Sequence, residues 1–182
     1  MLATVELNLK PARLITLKSH IDDRGWFTET YRKSWYESLE NTEFIFEFNT
    51  LSKIQKTLRG LHCQNDLMSQ SKLVTVLQGR IFDVIVDARL NSPTYGQYQT
   101  FILSDNLIQT LYVPKGFYHG FLTLETNTLV NYKLDNYHLE EAETGLMYND
   151  STLNIPWPCD PLVISKRDQN HPSWGNCFKF KE

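Results

Sequence analysis

The sequence predicts an all-β protein, a β-sandwich or jelly roll with a few short helices. Most regular segments are short and alternate apolar and polar residues with a period of two, as half-buried strands do. Turn-forming residues separate these segments, and aromatic residues, which favour strands, make up 13% of the chain. Many short strands with turns between them are typical of sandwiches and jelly rolls. Because the 182 residues contain no linker-like stretch, residues 1–182 are predicted to form one domain.

The N-terminal part contains the first strands and a helix with a capping signal. Residues 14–18 (Leu-Ile-Thr-Leu-Lys) read as a strand, and residues 22–25 (Asp-Asp-Arg-Gly) as a turn before an aromatic-rich strand. Ser34 and Glu37 have the spacing of a capping box, which predicts a short helix running to about Glu40. Residues 43–50 alternate with period two and are predicted to form the next strand.

The clearest hairpin is predicted at residues 72–87, where two runs rich in β-branched residues flank a glycine. In its second arm Phe82 and Val84 share one face, whereas Asp83 and Asp87 lie on the other. Residues 169–182 are predicted to have little regular structure. Further strands are predicted at residues 98–103, 110–113, 117–124 and 128–134.

Composition and charge exclude several classes of function. The net charge of −3 and the pI near 6.0 give no overall attraction for nucleic acid or for an anionic membrane. We find neither an apolar stretch as long as a membrane span nor a signal peptide. The three cysteines, Cys63, Cys159 and Cys177, have no CxxC spacing, which predicts reduced thiols and a cytoplasmic protein.

The segment from Leu58 to Gln64 combines residue types suited to acid–base chemistry. The planar guanidinium of Arg59 suits a phosphate or carboxylate, and the imidazole of His62 can exchange a proton near neutral pH. Lys72 could stabilise a developing oxyanion. Each of the two histidine sites also has an interpretation without chemistry. The segment from Leu58 to Gln64 could be a strand end whose polar side chains face solvent, and the second conspicuous histidine, His119, could be a core residue.

Two other stretches bear on ligands. Arg24 and Phe27, in the predicted turn and strand, could contact a phosphate and a flat ring, or belong to a plain surface hairpin. The residues after His62 are Cys63 and Gln64, and metal-binding jelly rolls typically carry a His-x-His pair there. A metal site needs several ligands in a set geometry, so no metal is predicted.

Several motifs occur together and in order along the chain. They are Asp23-Arg24-Gly25-Trp26-Phe27, Leu58-Arg59-Gly60-Leu61-His62, Lys72-Leu73-Val74, Phe117-Tyr118-His119-Gly120-Phe121 and Tyr132-Lys133. Over about residues 10–170 this set resembles one family, the dTDP-4-dehydrorhamnose 3,5-epimerases. The resemblance implies a cupin-type jelly roll and a homodimer with exchanged N-terminal strands. It also implies an epimerase without cofactor that acts on a nucleotide-linked 4-keto-6-deoxyhexose.

The resemblance also implies roles for individual residues. His62 corresponds to the general base, Asp168 to the carboxylate that orients it, and Tyr132 to the acid on the opposite face of the sugar. Lys72 corresponds to the cation near the C4 oxygen, and His119 to a pocket residue. The remaining positions correspond to nucleotide contacts: Arg24 and Arg59 at the diphosphate, and Phe27, Glu29, Glu47 and Asn49 around the base.

The chain departs from the family pattern at Glu47, where a glutamine is usual, and at His138, where a tyrosine is usual. A carboxylate only accepts hydrogen bonds, so Glu47 would suit guanine better than thymine; alternatively it pairs with a nearby lysine or arginine. Two other functions stay open. One is a single-carbon epimerase or keto-isomerase on another nucleotide sugar, and the other is a non-catalytic jelly roll that binds sugar nucleotides.

Overall fold

The computed structural model describes residues 3–36, 39 and 43–181. Short helices are α1 (Lys33–Tyr36) and α2 (Lys166–Gln169), with 3-10 turns at Asp66–Met68 and Glu140–Ala142. In the described ranges, no helix has the length and apolar character needed to cross a membrane. The strands are β1 (Ala3–Glu6), β2 (Arg13–Thr16), β3 (Ser19–Asp22), β4 (Gly25–Thr28), β5 (Phe46–Ser52), β6 (Thr57–Gln64), β7 (Lys72–Gln78), β8 (Arg80–Asp87), β9 (Tyr98–Ser104), β10 (Gln109–Val113), β11 (Phe117–Thr123), β12 (Thr128–Leu134), β13 (Glu143–Gly145) and β14 (Val163–Ile164).

The strands form two large sheets and one hairpin. The first sheet has the order β1-β2-β10-β7-β12-β5, and the second has the order β13-β6-β11-β8-β9. Strands β3 and β4 pair only with each other, and β14 adds to β6 in parallel. The other pairings between the named strands are antiparallel, and most neighbouring strands are not consecutive in the chain. This crossing connectivity confirms the predicted all-β sandwich.

Apolar side chains fill the space between the two sheets and cover their outer faces. Val74 and Val130 of the first sheet pack with Ile85 and Phe121 of the second in the central cluster. The segment after β13 covers the outer face of the second sheet through a cluster that includes Ile155, Trp174 and Phe180. The C-terminal segment is therefore held by apolar burial, although it has little regular structure, as predicted.

Most sequence predictions hold, with differences at strand ends. The strand predicted at residues 43–50 is present with shifted ends, because β5 spans Phe46–Ser52 and pairs with β12 over that whole length. The predicted helix begins at Lys33, so Ser34 lies inside it and the prediction that Ser34 caps it is wrong. The predicted extension to Glu40 falls largely outside the described residues. Strand β1 was not predicted from the sequence; it lies at the sheet edge beside β2.

Two glycines let strands β6 and β11 approach each other closely beneath the cavity of the candidate active site. A Cβ on Gly60, which has φ +106°, would lie 2.8 Å from the Cα of Gly120, and one on Gly120 would lie 2.6 Å from the carbonyl oxygen of Arg59. A larger residue at either position would force the strands apart. His62 and His119 pair directly across these strands, and the register shifts just beyond them.

Candidate active site

A cavity of about 440 Å³ is lined by residues of both sheets and of the C-terminal segment. Strand β6 contributes the side chains that sequence analysis singled out first, and β7, β11 and β12 contribute Lys72, His119 and Tyr132. Helix α2 supplies a carboxylate that lies more than one hundred positions further along the chain. Of the predicted site residues, the cavity lining contains Arg59, His62, Lys72, His119, Tyr132 and Asp168.

His62 and Asp168 form a hydrogen-bonded pair. The Nε2 atom of His62 lies 2.9 Å from Oδ1 of Asp168, and the other carboxylate oxygen accepts a hydrogen bond from the Gly60 amide at 3.0 Å. The backbone of Asp168 is fixed as well, since its amide donates to the side chain of Ser165 at the start of α2. The carboxylate therefore has a set position relative to the imidazole, as in catalytic pairs where it orients a general base.

Burial and hydrogen bonding set the protonation states of the pair. Burial lowers the pKa of His62 below its ordinary value, although Asp168 and Glu143 oppose this change. Burial alone would raise the pKa of Asp168, but contacts with His171, His62 and the Gly60 amide outweigh it and hold that pKa well below the usual range. At neutral pH the imidazole is thus uncharged and able to accept a proton, with an ionised carboxylate beside it.

Tyr132 occupies another wall of the cavity. Its ring stacks on Phe48, with centroids 4.8 Å apart, and meets the ring of His119 edge-on at 6.0 Å. Burial raises the pKa of Tyr132 well above its ordinary value, and the charge of Asp83 adds to this effect. The phenol consequently keeps its proton at neutral pH and can act as an acid.

Lys72 and His119 complete the polar lining. The Nζ atom of Lys72 donates to the carbonyl oxygen of His62 at 3.4 Å, and burial lowers the pKa of this lysine. His119 Nε2 lies 2.8 Å from Oδ2 of Asp83, and both side chains are buried. Its imidazole is therefore partnered and held in place, which combines the core and pocket interpretations of His119.

Two acidic residues at the site were missed by sequence analysis. Asp83 lies on the interior face of β8, and its Oδ1 has no hydrogen-bond partner among the described residues. A charged residue alternating with buried apolar ones in a strand was the available signal. Glu143 accepts hydrogen bonds from His138 at 2.9 Å and from Arg167 at 3.0 Å, and its Oε1 lies 3.9 Å from Nδ1 of His62. No local pattern distinguished Glu143.

The N-terminal site candidates do not reach the cavity within one chain. Arg24 is 90% exposed and pairs with Asp22, while Glu29 pairs with Arg32 on the surface. Phe27 lies on the exposed hairpin β3–β4. This single chain therefore does not bring Arg24, Phe27 and Glu29 together with the catalytic candidates.

Glu47 and Asn49 are also directed away from the cavity. Neighbouring residues of β5 point to opposite faces, and it is Phe48 and Thr50 that line the cavity. Glu47 binds Lys133 at 2.5 Å, and the Asn131 side chain donates to both Glu47 and Asn49. Hydrogen bonds with Lys133 and Asn131 hold the pKa of Glu47 below its usual range. The alternative in which Glu47 pairs with a nearby lysine is thus what the structure contains. Arg59, in contrast, lines the cavity and donates to the Ser52 hydroxyl.

One cluster has the composition of a metal site. Possible ligand atoms of His62, Asp168 and His171 lie within 4.8 Å of one another. Two imidazoles and a carboxylate could supply three ligands to a divalent cation. The short His62–Asp168 contact already gives these groups a role as a proton-transfer pair. Independence from metal stays a prediction.

The chain matches known proteins along nearly its whole length. The family model described as dTDP-4-dehydrorhamnose 3,5-epimerase matches residues 6–176. A protein of that name from Sinorhizobium fredii is 36% identical over 169 residues, which cover 92% of this chain and 87% of the relative.

Solved structures of similar proteins agree with the match to this family. The dTDP-4-dehydrorhamnose 3,5-epimerase from Bacillus anthracis, with TDP and PPi bound, aligns with a TM-score of 0.91 at 41% identity, covering 95% of this chain and 99% of that one. An epimerase from Legionella pneumophila in complex with dTDP-4-keto-L-rhamnose aligns with a TM-score of 0.87 at 36% identity, covering 92% and 90%. The jelly-roll architecture, the paired imidazole and carboxylate in the cavity and these matches lead to one conclusion: the chain belongs to the dTDP-4-dehydrorhamnose 3,5-epimerase family.

Proposed function

We propose that this protein inverts C3 and C5 of dTDP-4-dehydro-6-deoxyglucose to give dTDP-4-dehydrorhamnose. The observation that carries the proposal is the hydrogen-bonded pair of His62 and Asp168 in a cavity that also contains Tyr132 and Lys72. Inverting a carbon beside a ketone requires a base, a group that stabilises the enolate oxygen, and an acid that returns a proton to the other face. The cavity lining supplies a candidate for each.

In the first step, the nitrogen of His62 that does not contact Asp168 takes the proton from the carbon next to the ketone. The carboxylate of Asp168 stabilises the imidazolium that forms, as in other histidine–carboxylate pairs. The negative charge moves to the C4 oxygen, and Lys72, a cationic residue of the cavity lining, is the candidate that stabilises it. Because burial lowers the pKa of Lys72, this lysine is also suited to share a proton with the enolate oxygen.

In the second step, Tyr132 gives its phenolic proton to the opposite face of the same carbon. Support comes from the raised pKa of Tyr132, which keeps the phenol protonated until a strongly basic enolate carbon is present. Water then restores the two groups to their starting states. The same cycle at the second carbon completes the double inversion.

The test is incubation of dTDP-4-dehydro-6-deoxyglucose in heavy water, with proton NMR used to locate deuterium. We expect the wild-type protein to introduce deuterium at both C3 and C5, and His62→Ala to lose this exchange because no other lining group is placed as its base. Circular dichroism serves as the control for folding. Deuterium at one carbon only would support the single-carbon epimerase, and full activity of His62→Ala would contradict the mechanism.

We further propose a homodimer in which hairpin β3–β4 of one subunit completes the cavity of the other. Support comes from the exposure of Trp26 and Phe27 and from the fact that Arg24 is exposed and is not among the residues that line the cavity of its own chain. Exposed aromatic side chains next to one another are typical of interfaces. The cytoplasmic location predicted from the cysteines is also retained as a proposal.

Mixing two inactive variants tests the exchange. A mixed dimer of His62→Ala and Arg24→Ala would contain one cavity with both residues intact. Equal mixing should therefore restore about a quarter of the wild-type rate, since half of the dimers are mixed and each has one intact site of two. No recovery after the subunits have been shown to exchange would contradict the shared cavity.

A further inference from the structure

A second histidine lies against the catalytic pair and has no part in the steps above. His171 follows α2 directly, is 9% exposed, and places its Nε2 atom 3.4 Å from Oδ1 of Asp168. This is the same oxygen that Nε2 of His62 contacts at 2.9 Å. The two imidazole rings meet edge-on, with centroids 5.3 Å apart. Among the described residues Nε2 of His171 is buried and makes no hydrogen bond of regular geometry, and the Asp168 oxygen at 3.4 Å is its charged neighbour.

The fold makes room for this imidazole at a specific glycine. A Cβ on Gly145 would lie 2.0 Å from Nδ1 of His171, which is closer than two non-bonded atoms can approach. Gly145 is the last residue of β13 and pairs directly with His62 of β6. The ring of His171 therefore occupies space that exists only because this position next to the base carries no side chain.

We propose that His171 is a positioning residue for the epimerase reaction: an N–H at its buried, otherwise unpartnered Nε2 attracts the Asp168 oxygen that His62 also uses, across the 3.4 Å that separate them. As a donor, it restricts the carboxylate to one orientation and takes up part of the electron density that would otherwise stabilise the imidazolium form of His62. The base is thereby kept uncharged and ready to accept a proton at neutral pH. This inference rests on the proposed role of His62 as the base.

The charges around the pair agree with such a role. His62 faces Asp168 from α2, Glu143 from β13 and Lys72 from β7. Both carboxylates favour the imidazolium, and Lys72 opposes it. Further out, Arg167 contacts Glu143 at 2.9 Å and lies 3.7 Å from Asp168, and His138 contacts Glu143 at 2.9 Å. Arg167 and His138 already interact with the carboxylate of Glu143, which reduces how strongly Glu143 stabilises the imidazolium of His62. A donor beside Asp168 has the same effect on the second carboxylate.

The decisive experiment is NMR titration of the His62 ring in chelator-treated protein, for wild type and three variants. His171→Leu keeps the volume and removes the donor, so it should raise the pKa of His62 by about one unit. His171→Gln, whose side-chain amide can donate to the same oxygen, should restore the wild-type value. Gly145→Ala leaves His171 in the sequence but displaces its ring, and should shift the pKa of His62 in the same direction as His171→Leu.

The rise of kcat/KM with pH should move with the titration, to higher pH in His171→Leu and back again in His171→Gln. An unchanged or lowered His62 pKa in His171→Leu would mean that His171 only fills space and would overturn the inference. So would a value for His171→Gln equal to that of His171→Leu. Because the NMR titration needs no substrate, an incorrect assignment of the reaction would leave this result intact and so be told apart from failure of the inference.

Discussion

Replacing Asp168 by asparagine tests the central contact of the proposed mechanism. The substitution keeps the size of the side chain but removes the charge that lies 2.9 Å from Nε2 of His62. The contact is well shielded, since the side chains of His62 and Asp168 are 23% and 4% exposed. A hydrogen bond to a charged group contributes about 1.5–3 kcal/mol, and loss of the Coulomb attraction adds to this. At about 3–4 kcal/mol in total, kcat/KM should fall about 10²- to 10³-fold.

The pH dependence gives a second measure of the same change. Burial lowers the pKa of His62 and Asp168 acts against it, so the variant should have a still lower His62 pKa. A base works when deprotonated; hence the rise of kcat/KM with pH should move to lower pH in Asp168→Asn. The assay is the initial rate of deuterium exchange between pH 4 and 9. Asp160→Asn, at an exposed position, is the matched control. A loss below tenfold with an unmoved pH profile would refute the reasoning.

Three other outcomes follow from the site. Tyr132→Phe should lose epimerised product more than deuterium exchange, because proton abstraction survives while return to the opposite face fails; Tyr95→Phe is the control, and equal losses would contradict this. Dialysis against a strong chelator should leave the rate unchanged, whereas loss restored by one divalent ion would indicate a metal enzyme. Burial raises the pKa of Cys63 to about 12, so iodoacetamide at pH 8 should label the partly exposed Cys159 and spare Cys63, as read by mass spectrometry.

The architecture could be predicted from sequence because strand pairing leaves a local pattern. Each strand from β7 to β12 alternates or carries a β-branched run, and turn residues bound it. Strand ends were less accurate, since the partner strand sets them: β5 begins at Phe46, opposite Leu134, the last residue of β12. Strand β1 was not predicted because its four residues, Ala3–Glu6, are too few to establish a period-two pattern.

Site residues could be predicted from the sequence where they lie in a recognisable motif, and could not be predicted elsewhere. Asp168 is one of many carboxylates, and no local feature connects it to His62; the family resemblance alone did so. Asp83 and Glu143 could not be found this way, because their roles arise from contacts with His119 and Arg167 on distant segments. Glu47 is the opposite case: the family resemblance assigned it to the site, but its side chain pairs with Lys133 and does not line the cavity.

The C-terminal segment explains how a carboxylate so distant in sequence becomes part of the site. Its main-chain pairing to the sheet is short: β14 adds two residues to β6, beginning opposite Thr57. Apolar burial holds most of the segment in place, because Trp174 and other apolar residues beyond α2 pack on the outer face of the second sheet. Asp150 accepts a hydrogen bond from the Trp174 amide at 2.8 Å and so ties the chain on either side of α2 together. Apolar packing behind the sheet thus fixes the position of Asp168 in front of it, and the strength of the base depends on how firmly that segment is docked.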